Sequence, residues 1–220
     1  MKIRPANTRG FIPKSWKDDD TYQSYRSFSC MSYKDPNYLN WGPVKTINDD
    51  RTKPGFITTW HEHNGLDIIN YMIEGECRHT DDKGNNNVAK AGQVQHFWCG
   101  PSIFHHLTNE SDSTNRYLQI WIMPNGIVTD PTTYTIFDRE PGFAKLPIQF
   151  KNKFIEVWAG KPTQSIDIIT ASYLLVLEGS CKVNDIELSE GDALDIDDFA
   201  TINPNSECHL ILFKMNYSML

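Results

Sequence analysis

Basic residues are scarce in this 220-residue chain: 21 Lys and Arg stand against 28 Asp and Glu, for a formal charge of −7. Binding to a phosphate backbone needs clustered cations, and the short basic pieces at Lys2, Arg4 and Arg9 are soon followed by acids. Direct binding of nucleic acid is therefore not expected. No apolar run approaches the roughly 18 residues of a spanning helix, so no membrane span is expected either. The opening Met1-Lys2-Ile3-Arg4-Pro5-Ala6-Asn7 has no apolar stretch, and a secretory leader is not expected. The five cysteines, Cys30, Cys77, Cys99, Cys181 and Cys208, include no CxxC pair. An odd, scattered set reads as buried reduced thiols in a cytoplasmic protein, with a thiolate metal ligand as the alternative. A sustained 3.6-residue period is also missing, which argues against long amphipathic helices.

What the chain does have is short strand-like runs. Phe56 to Trp60, Ile68 to Ile73, Val94 to Trp98, Ile103 to Leu107 and Tyr117 to Met123 are rich in β-branched and aromatic residues. Between them lie the turn-forming stretches 81–87, 99–102 and 109–113. Many short strands at regular spacing predict a sandwich or barrel.

The second half repeats the first. Tyr71-Met72-Ile73-Glu74-Gly75-Glu76-Cys77-Arg78 matches Leu175-Val176-Leu177-Glu178-Gly179-Ser180-Cys181-Lys182 in pattern. Each copy continues to a second turn, Ala91-Gly92-Gln93 and Glu190-Gly191-Asp192, and then to another strand. Similarity at fixed offsets is how a duplication shows itself. The expected organisation is all-β, with two tandem antiparallel barrels covering residues 1–135 and 136–220. The linker is expected between Asn125 and Pro147, where Pro124, Gly126, Pro131, Pro141, Gly142 and Pro147 interrupt strand patterning.

His61-Glu62-His63 is an HxH pair. Residues two apart on a strand project to one face, so Ile57, Thr59, His61 and His63 are expected together, with Phe56, Thr58, Trp60 and Glu62 on the other side. Two imidazoles on one face can grip a divalent metal from two corners, but imidazole alone does not name the metal. Two exposed histidines near a turn are the plainer reading of such a pair. The surrounding residues tip the balance: five residues separate Gly55 from His61, Gly75 follows, and His105 arrives later with Asn109 four beyond it.

These features resemble the two signature motifs of the cupin superfamily, with Asp67 at the acidic place of the first and Ser102 where the second usually has glycine. The N-terminal half further resembles the pirins, which are tandem cupins. The stretches that carry this likeness include Asn7-Thr8-Arg9-Gly10, Tyr33-Lys34-Asp35-Pro36, Val44 through Asp50, His61-Glu62-His63-Asn64-Gly65 and Leu118 through Pro124. In pirins the metal is held by the HxH pair, a later histidine and a glutamate two residues after it. The resemblance implies His61, His63 and His105 as ligands here, while the glutamate's position is Leu107. Three outcomes stay open: three histidines with solvent, a fourth ligand from Asp67 or His106, or weak or absent metal binding. His106 alternates to the wrong face in a regular strand.

Other residues have plainer expected roles. His79 is read as making a strand-end hydrogen bond, His96 as a satisfied barrel histidine, and Trp60, Phe97, Trp98, Phe104 and Trp121 as core or pocket wall. His61 and His63 stand fourteen and twelve residues before Gly75, and the same offsets before Gly179 give Ser165 and Asp167. No histidine occurs between His106 and His209, so the second barrel is expected to lack an equivalent site.

The resemblance implies a quercetin 2,3-dioxygenase-like oxidoreductase that acts on a flavonol or related small aromatic substrate with O2. It would use one divalent transition metal, with iron favoured over nickel, zinc, manganese or copper. A base must remove the flavonol proton, and with Leu107 in the glutamate's place the enzyme is expected to be slow, to use Asp67 or a metal-bound hydroxide as base, or to act on another substrate. The competing expectation is a non-catalytic binding protein with a degenerate site, working through a protein partner.

Overall fold

The computed structural model describes residues 1–216, and among them the regular structure is strand except for one 3-10 turn at Ala6–Thr8. No helix among them is long and apolar enough to cross a membrane. The chain forms two compact units. One is Gly10–Asp138 with Phe150–Asn152, and the other is Met1–Arg9, Arg139–Gln149 and Lys153–Leu220.

The first unit sets a seven-stranded antiparallel sheet against a four-stranded one. In the larger sheet Asn115–Ile122 lies between Val44–Thr52 and Asp67–Glu74, and Gln93–Trp98 pairs with the outer side of Asp67–Glu74. The smaller sheet runs His61–His63, Ile103–Thr108, Glu76–Asp81, Asn86–Lys90. Apolar side chains from the two sheets meet in small clusters, one of Met72, Tyr117, Cys77, Ala89 and Leu107, another of Ile68, Phe97, Cys99 and Ile103. Alternation along each strand produces this, because every second residue faces inward.

The second unit repeats the plan with a six-stranded and a four-stranded sheet. Its core is more uniformly aliphatic: Leu174, Val176, Leu194, Ile196, Leu210 and Leu212 pack against Ile168, Val183, Leu188, Ala200 and Ile202. Truncating one such leucine to alanine costs about 2–5 kcal/mol. The repeated Glu-Gly turn has a physical cause in both copies. Gly75 and Gly179 sit at φ +65° and +70°, and a Cβ there would come within 2.9 Å of Asn115 and 2.6 Å of Glu207.

Three expectations need correction. Phe56–Trp60 is not a strand; only Ile57 makes an isolated bridge, to Thr108, and the strand proper is His61–His63. The expected faces do not carry through either: Ile57 is exposed although His63, of the same parity, is buried, and Phe56, of the opposite parity, is buried too. The expected linker contains two strands, Thr133–Asp138 and Phe143–Lys145, each at a sheet edge where nearby prolines are tolerated. The boundary at 135/136 moves too. Lys2–Arg4 pairs with Ala193–Ile196, which puts the first nine residues in the second unit.

Candidate metal centre

Strand register brings the three predicted histidines together. His61–His63 pairs antiparallel with Ile103–Thr108, so that His61 lies opposite His105 and His63 opposite Ile103. On the other side of Ile103–Thr108, Asp81 lies opposite His105 and His79 opposite Leu107. Directly opposed residues share a face, so His61, His105 and Asp81 form a row across three strands. His63, Leu107 and His79 flank that row.

One ligand nitrogen from each of His61, His63 and His105 lies within 4.8 Å of the other two. Ring centroids are separated by 4.5 Å for His61 and His105, 4.9 Å for His61 and His63, and 5.1 Å for His63 and His105. His63 and His105 are buried while His61 is partly exposed, so the trio has a solvent side. Nε2 of His63 and Nε2 of His105 are buried without a hydrogen-bond partner. Buried polar atoms are nearly always paired, and two orphaned imidazole nitrogens beside a third fit a cation well.

Hydrogen bonds behind the rings set which nitrogens are free. His61 Nδ1 donates to the Thr59 carbonyl at 2.8 Å, leaving Nε2 with its lone pair. A longer chain stands behind His105. Asp81 Oδ2 accepts from His79 Nε2 at 2.9 Å, so the remaining His79 nitrogen, Nδ1, is an acceptor. That atom lies 3.3 Å from His105 Nδ1, which donates to it and leaves His105 Nε2 unprotonated. Asp81 is itself held by backbone N–H groups of Lys83 and Asn85 on Oδ1 and by the Asn85 side chain on Oδ2. Outer partners of this kind fix the tautomer and orientation of a metal-binding histidine.

Aromatic rings from the larger sheet cover the buried side. Trp121 meets the His63 ring edge-on at 4.8 Å, and Phe97 lies 5.3 Å from His105 and 5.0 Å from His79. Burial, reinforced by the neighbouring His61, lowers the His63 imidazolium to about 4, and burial lowers His105 much further. His79 is lowered by burial against the opposing pull of Asp81. Burial works to raise Asp81, but its bonds from His79, Asn85 and Lys83 outweigh that and hold it below the usual carboxylate range. His63 and His105 are thus neutral near pH 7, the form that ligates a cation.

Leu107 faces inward as its parity requires, but it is packed into the apolar cluster with Met72, Cys77, Ala89 and Tyr117. Along with His61 it also lines a cleft of about 210 Å³ that reaches Tyr22, Arg26, Asn48 and Asp50.

The other predicted residues fall elsewhere. Asp67, the candidate base, is fully buried, and both oxygens are engaged: Oδ1 accepts from His96 Nε2 at 2.9 Å and Oδ2 from the Lys151 backbone at 2.8 Å. It lies outside the histidine cluster, and its carboxylate is committed to structure. The same bond satisfies His96 as expected. His106 turns to the outer face, where its ring stacks on Trp60 at 4.6 Å. Trp60 and Phe104 are exposed, not core, because the alternation that buries His105 points Phe104 outward. Phe97 and Trp98 are fully buried. All five cysteines are free and buried. In the second unit Ser165 bonds Asn203 and Asp167 bonds Thr201, beside a cleft of about 330 Å³ floored by Trp158.

His79 makes the strand-end hydrogen bond expected of it, to Asp81; its link to His105 and the buried acid Asp50 escaped the sequence reading. The HxD spacing of His79 and Asp81 puts both on one strand face and was a usable signal for their pairing. The buried acid Asp50 carried a weaker one, as the last of two consecutive aspartates in a strand-like run.

A family model described as Pirin matches residues 7–122. A quercetin 2,3-dioxygenase from Escherichia coli K12 is 31% identical over 231 residues and covers 97% of each chain. A pirin-like protein from Caulobacter vibrioides is 31% identical over 205 residues, covering 84% of this chain and 88% of its own. Among solved structures, a bacterial pirin from Escherichia coli in complex with nickel(II) superposes with a TM-score of 0.87 at 24% identity, covering 98% of both chains.

Proposed function

The chain belongs to the pirin family of bicupins, and on that footing we propose that it is a metal-dependent dioxygenase of the quercetin 2,3-dioxygenase type. Its substrate would be a flavonol or related small aromatic, with O2 as co-substrate. The observation that carries this reading is the cluster of ligand nitrogens of His61, His63 and His105, within 4.8 Å of one another, with His61 bordering a cleft.

A divalent metal held by these three nitrogens would supply Lewis acidity toward a substrate oxygen and an electronic path to O2. Iron and nickel both suit three imidazoles, and the nickel(II) complex of the Escherichia coli pirin supports the second. The protein's own part is positional. His79 and Asp81 hold His105 in its ligating tautomer, and Thr59 does the same for His61. Phe97 and Trp121 keep water from the buried side of the cluster. The partly exposed His61 borders the cleft through which a planar substrate would approach. Five buried thiols suit a reducing cytoplasm.

Metal analysis of the purified protein, followed by oxygen uptake with a flavonol panel, tests this. Near-stoichiometric metal that His61→Ala abolishes, together with flavonol-dependent uptake, is the expected outcome. No uptake with any loaded metal would remove the dioxygenase reading. Leu107 supports a second reading, a non-catalytic binding protein, because it places an apolar side chain where pirins have a ligating glutamate. A folded protein that stays metal-free would favour that alternative.

A further inference from the structure

Flavonol oxidation requires that the substrate hydroxyl lose its proton, and neither Leu107 nor the committed Asp67 can accept it. The cleft beside His61 contains another carboxylate. Asp50 lies on Val44–Thr52, is 3% exposed, and lines the same cleft as His61 and Leu107. The Tyr22 hydroxyl donates to its Oδ1 at 2.9 Å. Arg26 and Asn48 line this cleft too and are almost fully buried, yet Arg26 Nε and Asn48 Oδ1 have no hydrogen-bond partner. Polar atoms buried beside a cavity and left unpaired point to a polar ligand that completes them.

We propose that Asp50 is the general base of this site, taking the hydroxyl proton of a flavonol-class substrate while Tyr22 positions its carboxylate. The assignment rests on reading the chain as a flavonol-oxidising pirin. In the step, the substrate O–H bond breaks and its electron pair stays on the substrate oxygen. The proton forms a new O–H bond on the Asp50 carboxylate, and nothing is oxidised or reduced.

The surroundings suit this role. Burial pushes the Asp50 carboxyl up to about 6, against the lowering effect of hydrogen bonds and of Arg26. A base performs best when its pKa lies near the working pH. The groups around it are Tyr22 and Arg26 on Tyr22–Arg26, Asp49 on its own strand, Tyr117 on Asn115–Ile122 and Cys77 on Glu76–Asp81. Burial raises Tyr22 and Tyr117 and pushes Cys77 up to about 12, so these three stay neutral. Asp49 is engaged by Arg116 through two bonds, at 2.9 and 3.0 Å.

The test uses the full chain with 3-hydroxyflavone, whose single hydroxyl gives one ionisation, and 3-methoxyflavone as the control that lacks it. In metal-free protein, binding of 3-hydroxyflavone is expected to be about tenfold tighter at pH 7.5 than at pH 5, because an ionised acceptor makes the stronger hydrogen bond. Asp50→Asn should abolish that difference, and 3-methoxyflavone should show none. In nickel-loaded protein without oxygen, Asp50→Asn should slow the appearance of the flavonolate absorption band about 100-fold. Wild-type behaviour of Asp50→Asn in both measurements would overturn the assignment and leave the flavonol reading standing. Failure of wild-type protein to bind 3-hydroxyflavone in either form would overturn both. Should Asp50→Asn not fold, Tyr22→Phe takes its place: loss of the donor raises Asp50, so the binding transition should move to higher pH, and an unmoved transition overturns the proposal.

Discussion

His105 donates from its Nδ1 to the Nδ1 of His79 across 3.3 Å, and Asp81 anchors the far nitrogen of His79 at 2.9 Å. One carboxylate therefore sets the protonation of two imidazoles in series, and the last nitrogen in the chain is the one offered to a cation.

Asp81→Asn tests this chain. Oδ1 accepts two backbone N–H groups, so the new amide nitrogen must take the place of Oδ2 and face His79. It would donate where a carboxylate accepted, reversing the tautomer of His79 and then of His105. The reversed His105 has a proton on Nε2 and cannot ligate. Nickel or iron affinity, measured by chelator competition, should fall about 10–100-fold. Far-UV circular dichroism should be unchanged. Affinity equal to wild type would show that Asp81 does not govern the tautomer.

Leu107→Glu should act in two opposite directions. In metal-free protein the new carboxyl sits among Met72, Cys77, Ala89 and Tyr117 and lowers the melting temperature, since a buried charge without a partner costs several kcal/mol. With metal, a fourth ligand should raise affinity at least tenfold and recover the lost stability. Chelator competition and thermal unfolding with and without metal measure both effects. Unchanged affinity would mean that residue 107 does not reach the cation.

Asp50 gives the protein a pH-dependent liability. Its folded pKa of about 6 lies above the ordinary 3.8, so the folded state holds this proton more tightly than the unfolded one. The contribution of Asp50 to stability is therefore greatest below about pH 4 and declines as pH rises to 6, by roughly 2–3 kcal/mol. Asp50→Asn should stabilise metal-free protein at pH 7.5 far more than at pH 4. Urea unfolding at the two pH values gives the difference, and equal effects would show that the carboxyl is not strained by burial.

In the second unit, Gly179→Ala places a methyl at φ +70° and 2.6 Å from the Glu207 carbonyl. A loss of roughly 2–3 kcal/mol in unfolding free energy is expected, with metal affinity unaffected. Gly84→Ala is the comparison: its φ of +94° carries backbone strain but its Cβ meets nothing within 4 Å. It should cost less.

The residues that were legible in the sequence are those whose chemistry depends on spacing. HxH sets two imidazoles on one strand face whatever the rest of the fold does, and the Glu-Gly turns mark the duplication because both require a positive φ. Asp67 was misjudged because a carboxylate close to HxH in sequence says nothing of its hydrogen bonds, and His96 and the Lys151 backbone had already claimed it. Phe56–Trp60 has strand-like composition, but pairing decides what becomes a strand, and its backbone bonds to Ile103–Thr108 are too few. Asp50 was missed for a related reason. Its importance comes from lining a cleft with His61, and that proximity arises from the pairing of distant strands.

The pairing of Lys2–Arg4 with Ala193–Ile196 also bears on how the molecule is made. During synthesis Lys2–Arg4 emerges nearly two hundred residues ahead of the strand it pairs with. The histidine-bearing barrel can collapse while translation continues, but Lys2–Arg4 waits for its sheet partner until residue 196 has left the ribosome.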